Sequence, residues 1–181
     1  VSEDVLQIAA SSASIAVDDA GSCYVFEPPV SPDIAADLAG IRIDIDVIVA
    51  DFRRLQAQAS QVVVEGTGGW LCPIGPRETM ADVAVALGLP VILVAHTTLG
   101  TINHTVLSLN AMRQAGVVCA GVIFFGPDNP LYADNRRCVA EMTGAGILAE
   151  LLVAEGELLT AEILKQKVRH FDRQGNLGKY L

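Results

Sequence analysis

Four apolar runs bounded by turn residues constrain this chain more than any other feature: Gln61 to Glu65, Pro90 to Ala95, Val117 to Phe125, and the weaker Gly146 to Val153. Each has the length of a strand and none has the length of a membrane span. Between them lie stretches with helical spacing, Glu78 to Leu87, Thr101 to Gln114 and Leu131 to Thr143. Strands alternating with helices imply right-handed crossovers around a parallel sheet. A parallel sheet covered on both faces has strands that read as continuous apolar runs, as VILVA at 91 to 95 does. The expectation is an α/β fold, mostly parallel, with helices on both faces.

Upstream, Asp44 to Ala59 sets Ile45, Ile48, Val49, Phe52, Leu55 and Gln56 at helical spacing, with Asp44 as N-cap and Arg53 and Arg54 outward. The stretch FEPPVSPDIAA is a rigid connection, after which Ser31-Pro32-Asp33 starts a short helix with proline at its first position. Thr160 to about Phe171 reads as a last helix before a polar tail. No repeat or linker divides the chain, so residues 1–181 are expected to form a single α/β domain.

The net charge of −9 and the absence of any basic stripe argue against nucleic acid as a partner. The first residues, VSEDVLQIAA, carry acids where a secretory leader carries basic residues. Cys23, Cys72, Cys119 and Cys138 are widely spaced and form no C-x-x-C pair. Reduced thiols in a cytoplasmic protein are expected, with neither a zinc site nor a dithiol motif.

Two strand-to-helix turns carry the chemistry. In VVVEGTGGW, residues 62 to 70, an apolar run ends in the carboxylate of Glu65 and enters three glycines. Ligands of parallel sheets bind beyond the carboxyl ends of the strands, and a carboxylate there can hold Mg2+ or cap a neighbouring helix. In HTTLGTINHTVLSL, residues 96 to 109, Gly100 to Asn103 fall where free N–H groups and the helix dipole favour an anion. Thr101 and Asn103 serve equally well as helix caps on this reading. His96 and His104 have no nucleophile motif to serve, since no G-x-S-x-G occurs, and a structural or capping role is expected of both. Asp4, ahead of an amphipathic stretch, is by its own pattern an N-cap.

Taken in order, FEPPVSPDIAA, VVVEGTGGWLCPI, TMADVAVALGLPVILVAHTTLGTINHTVLSL and AGVIFF resemble the dethiobiotin synthetase family, from about Asp4 to at least Phe125. The resemblance implies a three-layer fold of the phosphate-loop NTPase type and an ATP- and Mg2+-dependent ligase of biotin synthesis. Such a ligase joins CO2 to 7,8-diaminononanoate and closes the ureido ring. It further implies Glu65 as a ligand of Mg2+ and of the substrate amines and Asp4 as a second metal ligand. Gly100, Thr101, Ile102 and Asn103 become the turn that receives the substrate carboxylate, in the family across a homodimer interface.

Two departures qualify what the resemblance implies. No G-x-x-x-x-G-K-[ST] loop occurs in the chain, so the strand, loop and helix that open the family's fold are expected to lie outside it. At the end of VIFF the family commonly has an asparagine that contacts adenine, and here Phe125 stands. An aromatic ring can stack on a base but cannot make paired amide hydrogen bonds. The alternative expectation is a homologue without the phosphate loop, a small-molecule-binding or regulatory module with no ATP chemistry.

Overall fold

The computed structural model describes residues 5–6, 21–154, 156–157, 160, 163 and 167. Asp4 and most of the helix expected over 160–171 lie outside the described residues. The chain divides into two compact units, Val1–Gly88 and Leu89–Leu181.

Among the described residues the first unit carries the helices α1 (Pro32–Ala39), α2 (Ile45–Gln56) and α3 (Met80–Leu87). Ser31 is the N-cap of α1, Pro32 occupies its first turn and Gly40 ends it in the left-handed conformation, the proline-first, glycine-last arrangement. Asp44 caps α2, its side chain accepting from the Asp46 N–H at 2.9 Å. Thr79 and Asp82 form a reciprocal capping box on α3. Ala36, Ile43, Ile74 and Val83 make the core, with Tyr24, Phe26, Ile45, Ile48, Met80 and Leu87 packed against it. Of the α2 face predicted to pack, Ile45, Ile48, Val49, Phe52 and Leu55 are half-buried but Gln56 is exposed, as the helix end turns it outward; Arg53 and Arg54 are exposed.

The strand expected at Gln61 to Glu65 is not found: 61–66 is irregular backbone, paired with no strand among the described residues. Valines favour a pleated surface, but a strand exists only where a neighbour supplies the ladder. Val63 is 79 % exposed, which shows how little covers this segment.

The second unit carries the sheet. Strands β1 (Val91–His96), β2 (Cys119–Pro127) and β3 (Ile147–Val153) lie in that order and all pair in parallel. The connections are α4 (Thr101–Gln114) between β1 and β2 and α5 (Tyr132–Thr143) between β2 and β3. These are consecutive crossover units, the parallel α/β class expected. The helices pack on each other, and α4 packs on β1 and β2.

Val122 and Phe124 of β2 are fully buried, and the Phe124 ring meets Tyr132 of α5 edge-on at 5.5 Å between centroids. Leu148 and Ala149 of β3 gather Ile92 and Ile123. The register sets His96 opposite Phe125, and Phe125 opposite Leu151. No helix among the described residues is long and apolar enough to cross a membrane.

Candidate functional site

The polar groups at the carboxyl end of β1 are held by a clasp to the end of β2. Thr97, just past β1, is fully buried, and its hydroxyl donates to the Pro127 carbonyl at 2.7 Å. Its own carbonyl accepts from the Asn129 side-chain amide at 3.1 Å and from that of Asn135 at 3.4 Å. Asn129 also donates to Pro127 O at 3.2 Å and accepts from the Leu131 N–H at 3.1 Å, which turns the chain into α5. Each polar group buried here has a partner, as the cost of leaving one unpaired requires. Sequence reasoning missed this clasp because its partners lie 30 to 38 residues apart.

The turn after the clasp leads into α4. Gly100 is its N-cap, with φ 96°, a conformation glycine adopts freely. No side chain caps the helix, so Thr101 and Asn103 are not the caps that their sequence pattern allowed. Thr101 is buried, its hydroxyl 3.4 Å from that of Thr105 and its N–H bonded to Thr98 O at 3.2 Å. Asn103 is exposed, and its side chain has no hydrogen-bond partner among the described residues. The N–H groups of Ile102 and Asn103 likewise have none. They are the orphan donors of a helix start, at the positive end of the helix dipole. Four residues in one turn thus divide their work: Gly100 bends, Thr101 anchors inward, and Ile102 and Asn103 offer donors outward.

Beside this turn the two histidines meet. His96 Nε2 lies 3.3 Å from His104 Nδ1, with the ring centroids 5.6 Å apart. The Thr98 N–H donates to His96 Nδ1 at 3.3 Å, and the Thr98 hydroxyl is 2.8 Å from the same nitrogen. The two rings are thus partnered with each other. Phe125, the register neighbour of His96, is 40 % exposed and keeps an aromatic surface at the end of β2.

Glu65 belongs to the first unit. It is exposed and makes no ion pair or hydrogen bond among the described residues, and the Gly69 carbonyl accepts from Cys72 N at 2.9 Å to close the turn after it. Among the described residues no group of three His, Cys, Asp or Glu side chains is arranged to hold a metal. A Mg2+ site does not require such a cage, since Mg2+ keeps several waters and takes one or two carboxylates plus phosphate oxygens. An uncommitted carboxylate such as Glu65 fits that requirement.

The thiols are free cysteines. Burial, reinforced by the Asp51 carboxylate that accepts from Sγ at 3.4 Å, pushes Cys23 up to about 11. Burial also raises Cys119. Neither thiol is set up as a nucleophile, because the reactive form is the thiolate.

Residues 2–155 match the family model described as an AAA domain. The chain is 43 % identical over 123 residues to an ATP-dependent dethiobiotin synthetase of Anaeromyxobacter dehalogenans, covering 66 % of this chain and 55 % of that protein. It is 40 % identical over 124 residues to the enzyme of that name from Akkermansia muciniphila, covering 67 % and 58 %. To that of Aromatoleum aromaticum it is 40 % identical over 151 residues, covering 80 % and 67 %. The chain therefore spans between just over half and two thirds of the length of these relatives. With a parallel α/β unit whose β1–α4 turn presents two free donors, and with these relatives, the chain belongs to the dethiobiotin synthetase family.

Proposed function

We propose that the chain carries the substrate-binding part of an ATP-dependent ligase that makes the ureido ring of dethiobiotin in biotin synthesis. The observation that carries this reading is the pair of unpartnered N–H groups on Ile102 and Asn103, presented beyond the carboxyl end of a parallel strand. A carboxylate placed there is met by two donors and a favourable dipole. The substrate on this reading is 7,8-diaminononanoate, whose carboxylate takes that turn while its two amines extend away from it.

The chemistry then needs positioning and charge neutralisation rather than a covalent side chain. One amine attacks CO2 and loses a proton, giving a carbamate. A carbamate oxygen attacks the γ-phosphorus of ATP, and ADP leaves with the bridging oxygen. The second amine attacks the carbonyl carbon, phosphate departs and the ring closes. Glu65, with its carboxylate free, would hold an amine and a share of Mg2+, and Asp4 a further share of the metal. Mg2+, when bound, neutralises charge on the phosphates. The Phe125 ring offers the nucleotide base a stacking surface.

A cytoplasmic homodimer is part of the same proposal, with the carboxylate turn completing the partner's site. The test uses the intact protein expressed from its gene. Glu65→Gln should reduce dethiobiotin formation to background with the thermal midpoint unchanged, because an exposed, unpartnered side chain contributes little to stability. Undiminished turnover would remove Glu65 from the site. The module without ATP chemistry is tested by calorimetry: diaminononanoate binding at full affinity without ATP, in a protein that never turns over, would favour it.

A further inference from the structure

The contact between His96 and His104 has no part in the function proposed above. We propose that this pair is a labile site for a divalent first-row transition-metal ion of the Zn2+ kind, held by His96 Nε2 and His104 Nδ1. Two imidazole nitrogens that bind one tetrahedral Zn2+ at about 2.0–2.1 Å stand about 3.3 Å from each other. The two nitrogens here are 3.3 Å apart. The same spacing serves an N–H···N hydrogen bond, which is what the metal-free pair makes.

The tautomers follow from the neighbours. The Thr98 N–H can only donate, so in the neutral ring His96 Nδ1 accepts and its proton sits on Nε2, directed at His104 Nδ1. His104 Nδ1 is then the acceptor and its proton is on Nε2, so His104 already has the tautomer of an Nδ1 ligand. His96 must move its proton from Nε2 to Nδ1 to become an Nε2 ligand. The Thr98 hydroxyl, 2.8 Å from Nδ1, is placed to accept that proton's hydrogen bond. Metal-ligating histidines almost always have such an outer partner, which fixes the tautomer and raises ligand basicity.

Binding replaces two hydrogen bonds, the one between the rings and the one from the Thr98 N–H to His96 Nδ1, by two metal–nitrogen bonds and a hydrogen bond from Nδ1–H to the Thr98 hydroxyl, and it releases no proton from two neutral imidazoles. His104 is exposed and His96 half-buried, so an ion and its remaining waters can reach both. With no group of three His, Cys, Asp or Glu among the described residues, water fills the other positions, and the ion exchanges readily. Imidazole ligands suit Zn2+, Cu2+ and Ni2+ and have little use for Mg2+. The site is thus chemically distinct from the hard-oxygen Mg2+ site proposed on Glu65.

The test is a titration of the whole chain with Co2+ alone, followed by visible absorption and calorimetry. One Co2+ per chain is expected, with visible ligand-field bands and no thiolate charge-transfer band. His96→Gln and His104→Gln should each abolish saturable binding, and Thr98→Val should weaken it about 10- to 100-fold. The far-ultraviolet circular dichroism of each variant checks that it is folded. Absence of saturable binding, binding that survives either histidine substitution in a folded protein, or a thiolate band would overturn the site.

Discussion

Residues 61–65 and residues 91–96 are built alike and end differently. QVVVE and VILVAH are both short, β-branched and apolar, both finish on a polar side chain, and both run into a glycine turn. Yet Val91–His96 is a strand with β2 along one edge, whereas 61–65 has no ladder among the described residues. Side-chain character makes a segment able to be a strand, and a partner elsewhere in the chain makes it one. For β1 that partner is Cys119–Pro127, brought back by the crossover helix α4. Burial follows pairing: Ala95 is 7 % exposed and Val63 is 79 % exposed.

The largest expected effect comes from breaking the partner of β1. Gly121 sits in β2 with φ 155°, and a Cβ there would lie 2.6 Å from the Gly146 carbonyl oxygen and 2.7 Å from Leu148 Cγ. Gly121→Val must both push β2 from β3 and strain a backbone conformation that suits glycine, so a cost of about 4–6 kcal/mol in urea unfolding is expected. An unchanged midpoint would mean that β3 yields freely and that the ladder is not what holds β1.

The same contrast can be made with one side chain from each kind of segment. Phe124 of β2 is fully buried, so Phe124→Ala should cost about 3–5 kcal/mol. Val63→Ala should stay within about 0.5 kcal/mol, as exposed substitutions do. Hydrogen exchange adds the backbone view, with slow amides over 121–125 and fast ones over 62–65. A costly Val63→Ala joined to slow exchange at 62–65 would show that the segment is paired in the intact protein, and would erase the contrast.

Legibility in the sequence divides along the same line. α4 lies at Thr101–Gln114 as its pattern predicts, because apolar strand, glycine and helical spacing are all local signals. β2 is displaced two residues from the expected 117–125, since pairing of Gly126 with Leu152 and of Pro127 with Val153 carries it onward. At the site, the helix start at Gly100 was legible. The inward anchoring of Thr101 was not, because it depends on Thr105 and on what covers both. The Thr97–Asn129–Asn135 clasp joins residues with no sequence relation. His96 and His104 are eight apart across a strand-to-helix turn, a spacing that neither helical nor strand periodicity brings together.

A small effect is expected from what covers the paired strand. Tyr132 lays its ring on Phe124 and is 6 % exposed, but its buried hydroxyl finds no hydrogen-bond partner among the described residues. Burial holds this phenol well above its ordinary value of 10.0, and the neighbouring Glu150 carboxylate adds to the rise. In the unfolded chain the phenol ionises near its ordinary value, while in the folded protein it keeps its proton. Above that pH the folded state binds more protons, so stability is fully present below pH 10.0 and falls as pH rises toward the folded value. Tyr132→Phe keeps the ring contact and removes the unsatisfied hydroxyl. At neutral pH it should be neutral or stabilising by up to about 1 kcal/mol, and the difference between the two proteins should widen above pH 10.0. A variant clearly less stable than the parent at pH 7 would mean that the hydroxyl has a partner in solution, and that the cover over β2 is held by a polar bond as well as by the ring.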